Sequence, residues 1–309
     1  MAQTIHFKNR ALIIADEAMR RTLDLATRAA SSSLPVLLVG QSGTGKELVA
    51  RYIDEKSPRA RGNFVSINCA AIPDGLMEAE LFGFERGAFT GAVAQRVGKF
   101  ERASGGSLLL DEVSEMPFHL QAKLLRALQE GEIDRLGGAQ PVAVQTRVIA
   151  TTNVDPALLI QKGTFRADLY YRLNVIRIDC PALGGRSEAI ESLAVQLLRR
   201  ACDANGMTPR SFKPEAMDRL RAYAWPGNIR ELQNAVERAL LVCDHSEIGP
   251  EHLDLRPLTA VSGGDLAAIE QQHILDTLSQ SEGNRSEAAR RLGISVRTLR
   301  NKLKEFNAA

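Results

Sequence analysis

Seven residues, Gly40-Gln41-Ser42-Gly43-Thr44-Gly45-Lys46, are spaced to hold a phosphate. Glycines at 40, 43 and 45 carry no Cβ, so backbone N–H groups can turn inward around an anion. Lys46 adds a full positive charge, and a helix starting near Gly45 would aim its positive dipole end at the same point. This is the P-loop pattern G-x4-G-K, with Glu47 standing where a Ser or Thr usually meets Mg²⁺. Further along, Gly105-Gly106-Ser107-Leu108-Leu109-Leu110-Asp111-Glu112 passes from apolar residues to paired carboxylates. Behind a P-loop, Asp111 can join the shell of a bound Mg²⁺ and Glu112 can polarise an attacking water. Alone, the same pair would be a solvated turn. The run Arg147-Val148-Ile149-Ala150-Thr151-Thr152-Asn153 also ends in polar groups able to sense a γ-phosphate. Together these residues describe a nucleoside triphosphate site with hydrolytic carboxylates, rather than a glycine-rich surface turn.

Such a site needs a scaffold that brings three chain segments to one edge. Val36–Val39 is a short apolar run between Pro35 and the glycines, as expected of a buried parallel strand. Val65–Cys69 is a second strand candidate ending at Asn68, and the runs before Asp111 and Asn153 are a third and a fourth. Leu120, Leu124, Leu125 and Leu128 have helical spacing, and the apolar positions of residues 11–30 predict a helix before the first strand. Alternating strands and helices imply a parallel sheet with helices on its faces. Ligands bind at the carboxyl ends of such strands, where Gly45, Asp111 and Asn153 would sit. From Pro181 the strand pattern stops, and residues 188–248 read as helices interrupted at Trp225-Pro226-Gly227-Asn228. That is a small helical domain of the kind that forms a lid.

Two stretches have no place in a core. Glu80 to Ala92 is rich in glycine and small residues yet carries Phe89 and Thr90, so it is either filler or a contact device. Near the end, Ser286–Leu292, a turn at Gly293-Ile294-Ser295, and Val296–Phe306 have the spacing of a helix-turn-helix. Ser286 can cap the first helix, Gly293 ends it and Ser295 can cap the second. Arg297, Thr298, Arg300, Asn301 and Lys302 then face a DNA groove or its backbone. Residues 285–304 hold seven Lys/Arg against one acid, although the whole chain is only +2. That asymmetry favours a polyanion partner over a merely charged helical hairpin. Leu255–Gly264 has the composition of a linker, and Leu266–Leu278 predicts one further helix.

Composition is that of an ordinary soluble protein: 44% hydrophobic, 25% charged. No apolar run approaches the roughly 20 residues that span a bilayer. Met1–Arg10 lacks a signal-peptide core, and the four cysteines show no metal spacing. A cytoplasmic protein with reduced thiols and no membrane partner is expected.

With these segments in place, the chain resembles the sigma-54-dependent transcription activators of bacteria (enhancer-binding proteins). These are AAA+ ATPases with a Fis-like DNA-binding domain. The likeness runs over roughly residues 11–306, and its most specific element is Gly87-Ala88-Phe89-Thr90-Gly91-Ala92. That GAFTGA signature is, within AAA+ proteins, essentially confined to these activators. The resemblance implies an α/β nucleotide-binding subdomain over 1–180, a helical lid over 181–254, a linker over 255–265 and a helix-turn-helix domain over 266–309. It implies ATP and Mg²⁺ as cofactors, with Lys46 on the β/γ-phosphates, Asp111 serving Mg²⁺ and Glu112 preparing the water. Asn68 would hold Glu112 in an inactive pose. Thr152 and Asn153 match the first sensor, and Arg230 the second. Arg166 and Arg172 match arginines that reach a neighbouring subunit's nucleotide. Gly87–Ala92 would contact sigma-54.

The implied partners are the sigma-54 RNA polymerase holoenzyme, double-stranded upstream DNA and further copies of the chain, from dimer to hexameric ring. Residues 1–10 leave no space for a receiver, GAF or PAS domain, so either a regulatory protein acts in trans or an N-terminal domain is missing from this chain. Glu47 is a variant shared with the family. Other positions depart from it: Phe84 replaces His, and Pro181-Ala182-Leu183-Gly184-Gly185-Arg186 replaces Pro-Pro-Leu-Arg-Glu-Arg. Ala189 replaces Asp, and Ile13-Ile14-Ala15-Asp16 replaces Ile-Gly-x-Ser. Similar departures occur in the flagellar-gene branch. A different AAA+ machine, such as an unfoldase or replication initiator, would not explain GAFTGA beside a Fis-like end. A DNA-binding regulator without catalysis would not need Lys46, Asp111 and Glu112.

Overall fold

Leu37, Ile67, Leu108, Leu110, Val148 and Ala150 lie in one apolar layer, and Val36, Leu38, Leu109, Ile149 and Ile178 in another. Strands whose alternate side chains are buried on both faces form a parallel sheet sandwiched by helices. A computed structural model describes residues 3–7, 10–14 and 16–255, then 274, 277, 278, 281 and 284–306. The chain divides into two units, Met1–Leu255 and Arg256–Ala309.

The first unit opens with a hairpin of β1 (Gln3–Phe7) and β2 (Arg10–Ile14), then helix α1 (Glu17–Ala30). The helix expected across 11–30 is thus shorter. The β-branched pair Ile13-Ile14 is in a strand, and Asp16 starts the helix by accepting the Met19 N–H at 2.9 Å. Strand β3 (Val36–Val39) and helix α2 (Lys46–Glu55) flank the phosphate loop, and β4 (Phe64–Asn68) follows. Helix α3 (Asp74–Phe82) leads into β5 (Gly83–Phe84), which pairs antiparallel with β6 (Arg96–Val97); the GAFTGA residues cross between them. Then come α4 (Lys99–Arg102), β7 (Ser107–Asp111), α5 (Phe118–Glu130) and a second small hairpin, β8 (Glu132–Ile133) with β9 (Val142–Ala143). Strand β10 (Arg147–Thr152), helices α6 (Pro156–Gln161) and α7 (Ala167–Leu173), and β11 (Ile176–Asp179) complete the α/β layer.

The five long strands pair in parallel in the order β11-β3-β10-β7-β4. Their carboxyl ends therefore meet along one edge, with Asn68 directly opposite Asp111. The first residue of β10 is charged yet buried: Arg147 is 2% exposed. Its guanidinium donates to the carbonyls of Ala30 and Leu34, at and just beyond the end of α1, and to that of Ala29, which also accepts the Ser32 N–H. Burial pulls its pKa below the ordinary arginine value.

The lid is built from α8 (Ser187–Ala204), α9 (Pro214–Ala222) and α10 (Asn228–Val242) around Trp225, whose indole N–H donates to the Leu220 carbonyl at 2.9 Å. It is not purely helical. A short parallel pair, β12 (Ser211–Phe212) with β13 (Glu247–Ile248), joins the start of α9 to the segment beyond α10.

In the second unit, α11 (Arg285–Arg291) and α12 (Val296–Phe306) enclose a small core of Ile274, Ala288, Ala289 and Leu299. Asn284, not Ser286, caps α11. The helix begins at Arg285, so it is the Asn284 side chain that stands in position to accept the N–H groups of Ser286 and Glu287. Ser295 caps α12 as expected, accepting the Thr298 N–H at 3.0 Å. The linker over 255–265 lies, beyond Leu255, outside the described residues, and so does most of the helix over 266–278.

Arg147→Met should strand the Ala30 and Leu34 carbonyl oxygens and lower the unfolding free energy by roughly 2–3 kcal/mol. Chemical denaturation of the two proteins measures this directly, and equal midpoints and slopes would show that water replaces the guanidinium.

Candidate nucleotide site and the loops attached to it

Gly43 and Gly45 adopt left-handed backbone angles, φ +78° and +92°. At Gly43 a side chain is also excluded by contact, since a Cβ would lie 2.2 Å from the Gly227 carbonyl oxygen of the lid. Lys46 is 6% exposed, and its Nζ donates to the carbonyls of Gly40 (2.8 Å) and Gln41 (3.2 Å) of its own loop. Thr44 Oγ1 closes the same turn onto Gln41 O at 2.9 Å. Glu47 points along the helix to Arg51, at 2.8 Å, in an i,i+4 pair.

The carboxylates face this loop across the sheet edge. Glu112 Oε1 lies 3.4 Å from Lys46 Nζ, and its Oε2 accepts the backbone N–H of Asn153 at 3.0 Å. The Glu112 backbone is left-handed, φ +52°, which is unusual for a residue with a side chain. The contact expected between Asn68 and Glu112 is not made. Asn68 Nδ2 donates instead to Asp111 Oδ2 at 3.0 Å, because the β4–β7 register sets those two residues opposite each other. Asp111 Oδ1 accepts the hydroxyl of Thr151 at 2.7 Å, and that hydroxyl accepts the Glu112 N–H at 2.9 Å. Thr151 was not singled out in the sequence. The available signal was strand alternation, which puts only one of Thr151 and Thr152 on the sheet face that carries Asp111. Thr152 keeps its hydroxyl on Val154, and Asn153 offers Glu112 its backbone rather than its amide.

The lid reaches the loop through one turn. Arg230 donates to Ser42 Oγ at 3.0 Å, and the Ile229 N–H to the Gly43 carbonyl at 3.0 Å. Asn228, fully buried and at φ +54°, was also missed as a site residue. Its amide donates to Ser42 O (3.0 Å) and Gln41 Oε1 (3.2 Å), while its Oδ1 accepts the Leu183 N–H at 2.7 Å. Beside Thr44 lies a mostly apolar cavity of about 100 Å³ walled by Ile13, Leu48, Arg186, Ile229 and Gln233. Its position and lining suit a planar base. Arg186 at its rim is paired with Asp16. Burial works to raise the Asp16 pKa, but the Arg186 guanidinium together with the backbone N–H groups of Met19 and Ala18 holds the carboxyl below its usual value.

Arg166 and Arg172 are not brought to this site. Arg166 pairs with Asp168 at 2.7 Å and lies 6.0 Å over the Phe118 ring. Arg172 donates to the Leu128 carbonyl at 2.9 Å. Among the described residues neither has a hydrogen bond or ion pair with the phosphate loop. The four cysteines are buried, and burial pushes Cys69 and Cys180 up to about 12, which leaves them inert as nucleophiles.

Gly87 (φ +85°) and Gly91 (φ +106°) turn the GAFTGA segment back on itself, closed by the Gly87 N–H on the Ala92 carbonyl at 2.8 Å. Phe89 is 44% exposed and meets the edge of Phe84 with ring centres 5.0 Å apart. Thr90 and Ala88, by contrast, show no ring contact; Thr90 is exposed and Ala88 half-buried. The second hairpin props the first through Glu85 N–H to Leu136 O and Leu136 N–H to Gly83 O. Arg135 adds ion pairs to both Glu85 and Glu101. On α12, Arg297, Thr298 and Arg300 are exposed opposite the buried Leu299, and Lys302 is half-buried. The Asn301 side chain lies outside the described residues.

Residues 12–179 match the sigma-54 interaction domain family, 185–268 the AAA+ ATPase lid domain and 265–306 the bacterial regulatory proteins of the Fis family. The chain belongs to the sigma-54 activators. It is 48% identical to the transcriptional regulatory protein FlbD of Caulobacter vibrioides, over 96% of this chain and 70% of that protein. It is 45% identical to the response regulator FleR of Pseudomonas aeruginosa, over 95% and 70%. The crystal structure of NtrX from Brucella abortus in complex with ATP superposes with a TM-score of 0.76 at 35% identity, over 95% of this chain and 68% of that one. The activator is accordingly an ATPase with a DNA-binding helix-turn-helix, acting in transcription with sigma-54. Among its described residues no helix is long and apolar enough to cross a membrane.

Asn228→Ala would leave Leu183 N–H and Ser42 C=O unpaired, a loss of roughly 2 kcal/mol. If the turn transmits lid position to the loop, labelled ATP should bind about tenfold more weakly. Unchanged affinity in a fluorescence titration would show that the turn is structural only.

Proposed function

We propose that Lys46, Asp111 and Glu112 carry out ATP hydrolysis and that Gly87–Ala92 passes the resulting change of shape to sigma-54, opening the promoter. The observation that supports this most is the placement of Glu112, pinned between Lys46 and the Asn153 N–H at the strand edge facing the phosphate loop. Lys46 exchanges its loop carbonyls for the β/γ-phosphates. Backbone N–H groups of Gly40–Glu47 and the start of α2 surround the anion. Asp111 has hydrogen-bond donors on both oxygens but no ion-pair cation among the described residues, which suits it to hold Mg²⁺. When bound, that ion neutralises charge on the β- and γ-oxygens. Glu112 takes a proton from the water as its oxygen attacks the γ-phosphorus and the bond to the β-phosphate oxygen breaks. Asn153 steadies Glu112, and Arg230 reports the nucleotide to the lid. Asn68, bonded to Asp111 here, is in place to exchange partners with Glu112 as the nucleotide changes.

Arg166 and Arg172 act on a neighbouring subunit's nucleotide in a ring, which accounts for their having no role in their own site. An arginine of this kind is worth roughly 10³–10⁵ in rate. ATPase activity per subunit should therefore rise steeply with protein concentration, and a flat profile would rule out action in trans.

The helix α12 enters the major groove of upstream DNA with Arg297, Thr298, Arg300, Asn301 and Lys302. The subdomain limits near 180, 254 and 265, a cytoplasmic location, control by a partner protein or a further domain, and membership of the flagellar-gene branch belong to the same proposal. Thr90→Ala is the decisive variant. It should hydrolyse ATP and bind DNA normally but fail to capture sigma-54 with an ATP transition-state mimic and fail to open the promoter. Normal capture and opening would make Gly87–Ala92 ordinary connecting chain.

A further inference from the structure

We infer that Thr151 is a positioning residue for ATP hydrolysis: one buried hydroxyl sets the mutual orientation of Asp111 and Glu112. This rests on the assignment of those carboxylates to the reaction. Thr151 is 0% exposed, at the carboxyl end of β10 beside β7. The direction of its hydrogen bonds is forced. A backbone N–H can only donate, so the hydroxyl must accept from Glu112 N, and its single proton must go to Asp111 Oδ1.

Two consequences follow from that geometry. With Thr151 on Oδ1 and Asn68 on Oδ2, the Asp111 carboxylate is held at both oxygens and cannot rotate about its terminal bond. The remaining lone pairs of Asp111 are thereby aimed in fixed directions, as a metal-holding carboxylate requires. The second bond holds the Glu112 backbone at φ +52°, a conformation that a residue with a Cβ does not keep unaided. From that backbone the Glu112 side chain reaches Lys46 and the Asn153 N–H. Neither an aliphatic residue nor the neighbouring Thr152, whose hydroxyl is bonded locally to Val154, can supply this pair of bonds.

The test compares Thr151→Val, which keeps shape and β-branching, Thr151→Ala, which cannot overpack, and Thr151→Ser, which keeps the hydroxyl. Steady-state hydrolysis should show kcat lowered about 10–100-fold in the Val and Ala variants, with KM for ATP raised only by the Mg²⁺-dependent affinity they lose, and most of the rate restored in Ser. A second reading does not depend on turnover. Labelled ATP is titrated in EDTA and in Mg²⁺; wild type and Ser should gain affinity with the metal, and Val and Ala should lose most of that gain while binding equally in EDTA. Wild-type kcat and Mg²⁺ gain in Val or Ala, or a loss in Ser as deep as in Val, would overturn the inference. Glu112→Gln, run alongside, separates the two levels. Full hydrolysis there would remove the carboxylate assignment itself. A silent Glu112→Gln beside a wild-type-like Thr151→Val would remove only the role of Thr151.

Discussion

The parallel register of β4, β7 and β10 is the constraint on which the catalytic edge depends. Because those strands run side by side and stop at nearly the same level, Asn68, Asp111 and Thr151 become neighbours without any residue reaching for another. A slip of one position in β10 would turn Thr151 to the opposite face and bring Thr152 or Ala150 beside Asp111. The carboxylates would then lose their orientation even if every residue were present. The apolar layers on both faces resist such a slip, since Leu108, Leu110, Val148 and Ala150 are packed on one side and Leu109 and Ile149 on the other.

A second dependence runs between loop and lid. The phosphate loop is not supported by its own helix alone: Asn228, Ile229 and Arg230 hold it from the lid, and Gly43 lies against the Gly227 carbonyl. The departures from the family pattern at residues 13–16 and 181–186 fall at this same junction. Asp16 and Arg186 meet there in an ion pair beside the cavity, which ties the two segments together.

The GAFTGA loop, by contrast, is held at its base and open at its tip. Two short hairpins and the Arg135 ion pairs fix where it leaves the domain. Beyond Glu85 its ordering comes from a few backbone hydrogen bonds and one aromatic edge contact, between Phe84 and Phe89. Such a segment can change conformation without disturbing the sheet, which suits a part that meets a partner.

Much of this was legible along the chain because the chemistry is local. Gly40–Lys46, Asp111-Glu112, Gly87–Ala92 and the helix-turn-helix spacing each lie within a few consecutive residues, and a phosphate loop or a capped helix is specified at that range. The family, the α/β layer and the ATPase followed from them. Tertiary structure decided the rest. Ile13 and Ile14 became strand because a hairpin partner was available at Gln3–Phe7, which helical spacing cannot reveal. Asn284 rather than Ser286 became the cap once packing set where α11 begins. Thr151 and Asn228 acquired their roles from residues far along the chain, through strand register in one case and a buried turn in the other. Asn68 paired with Asp111 instead of Glu112 for the same reason. Hydrogen bonds between distant segments depend on distances that only the packed sheet and lid establish.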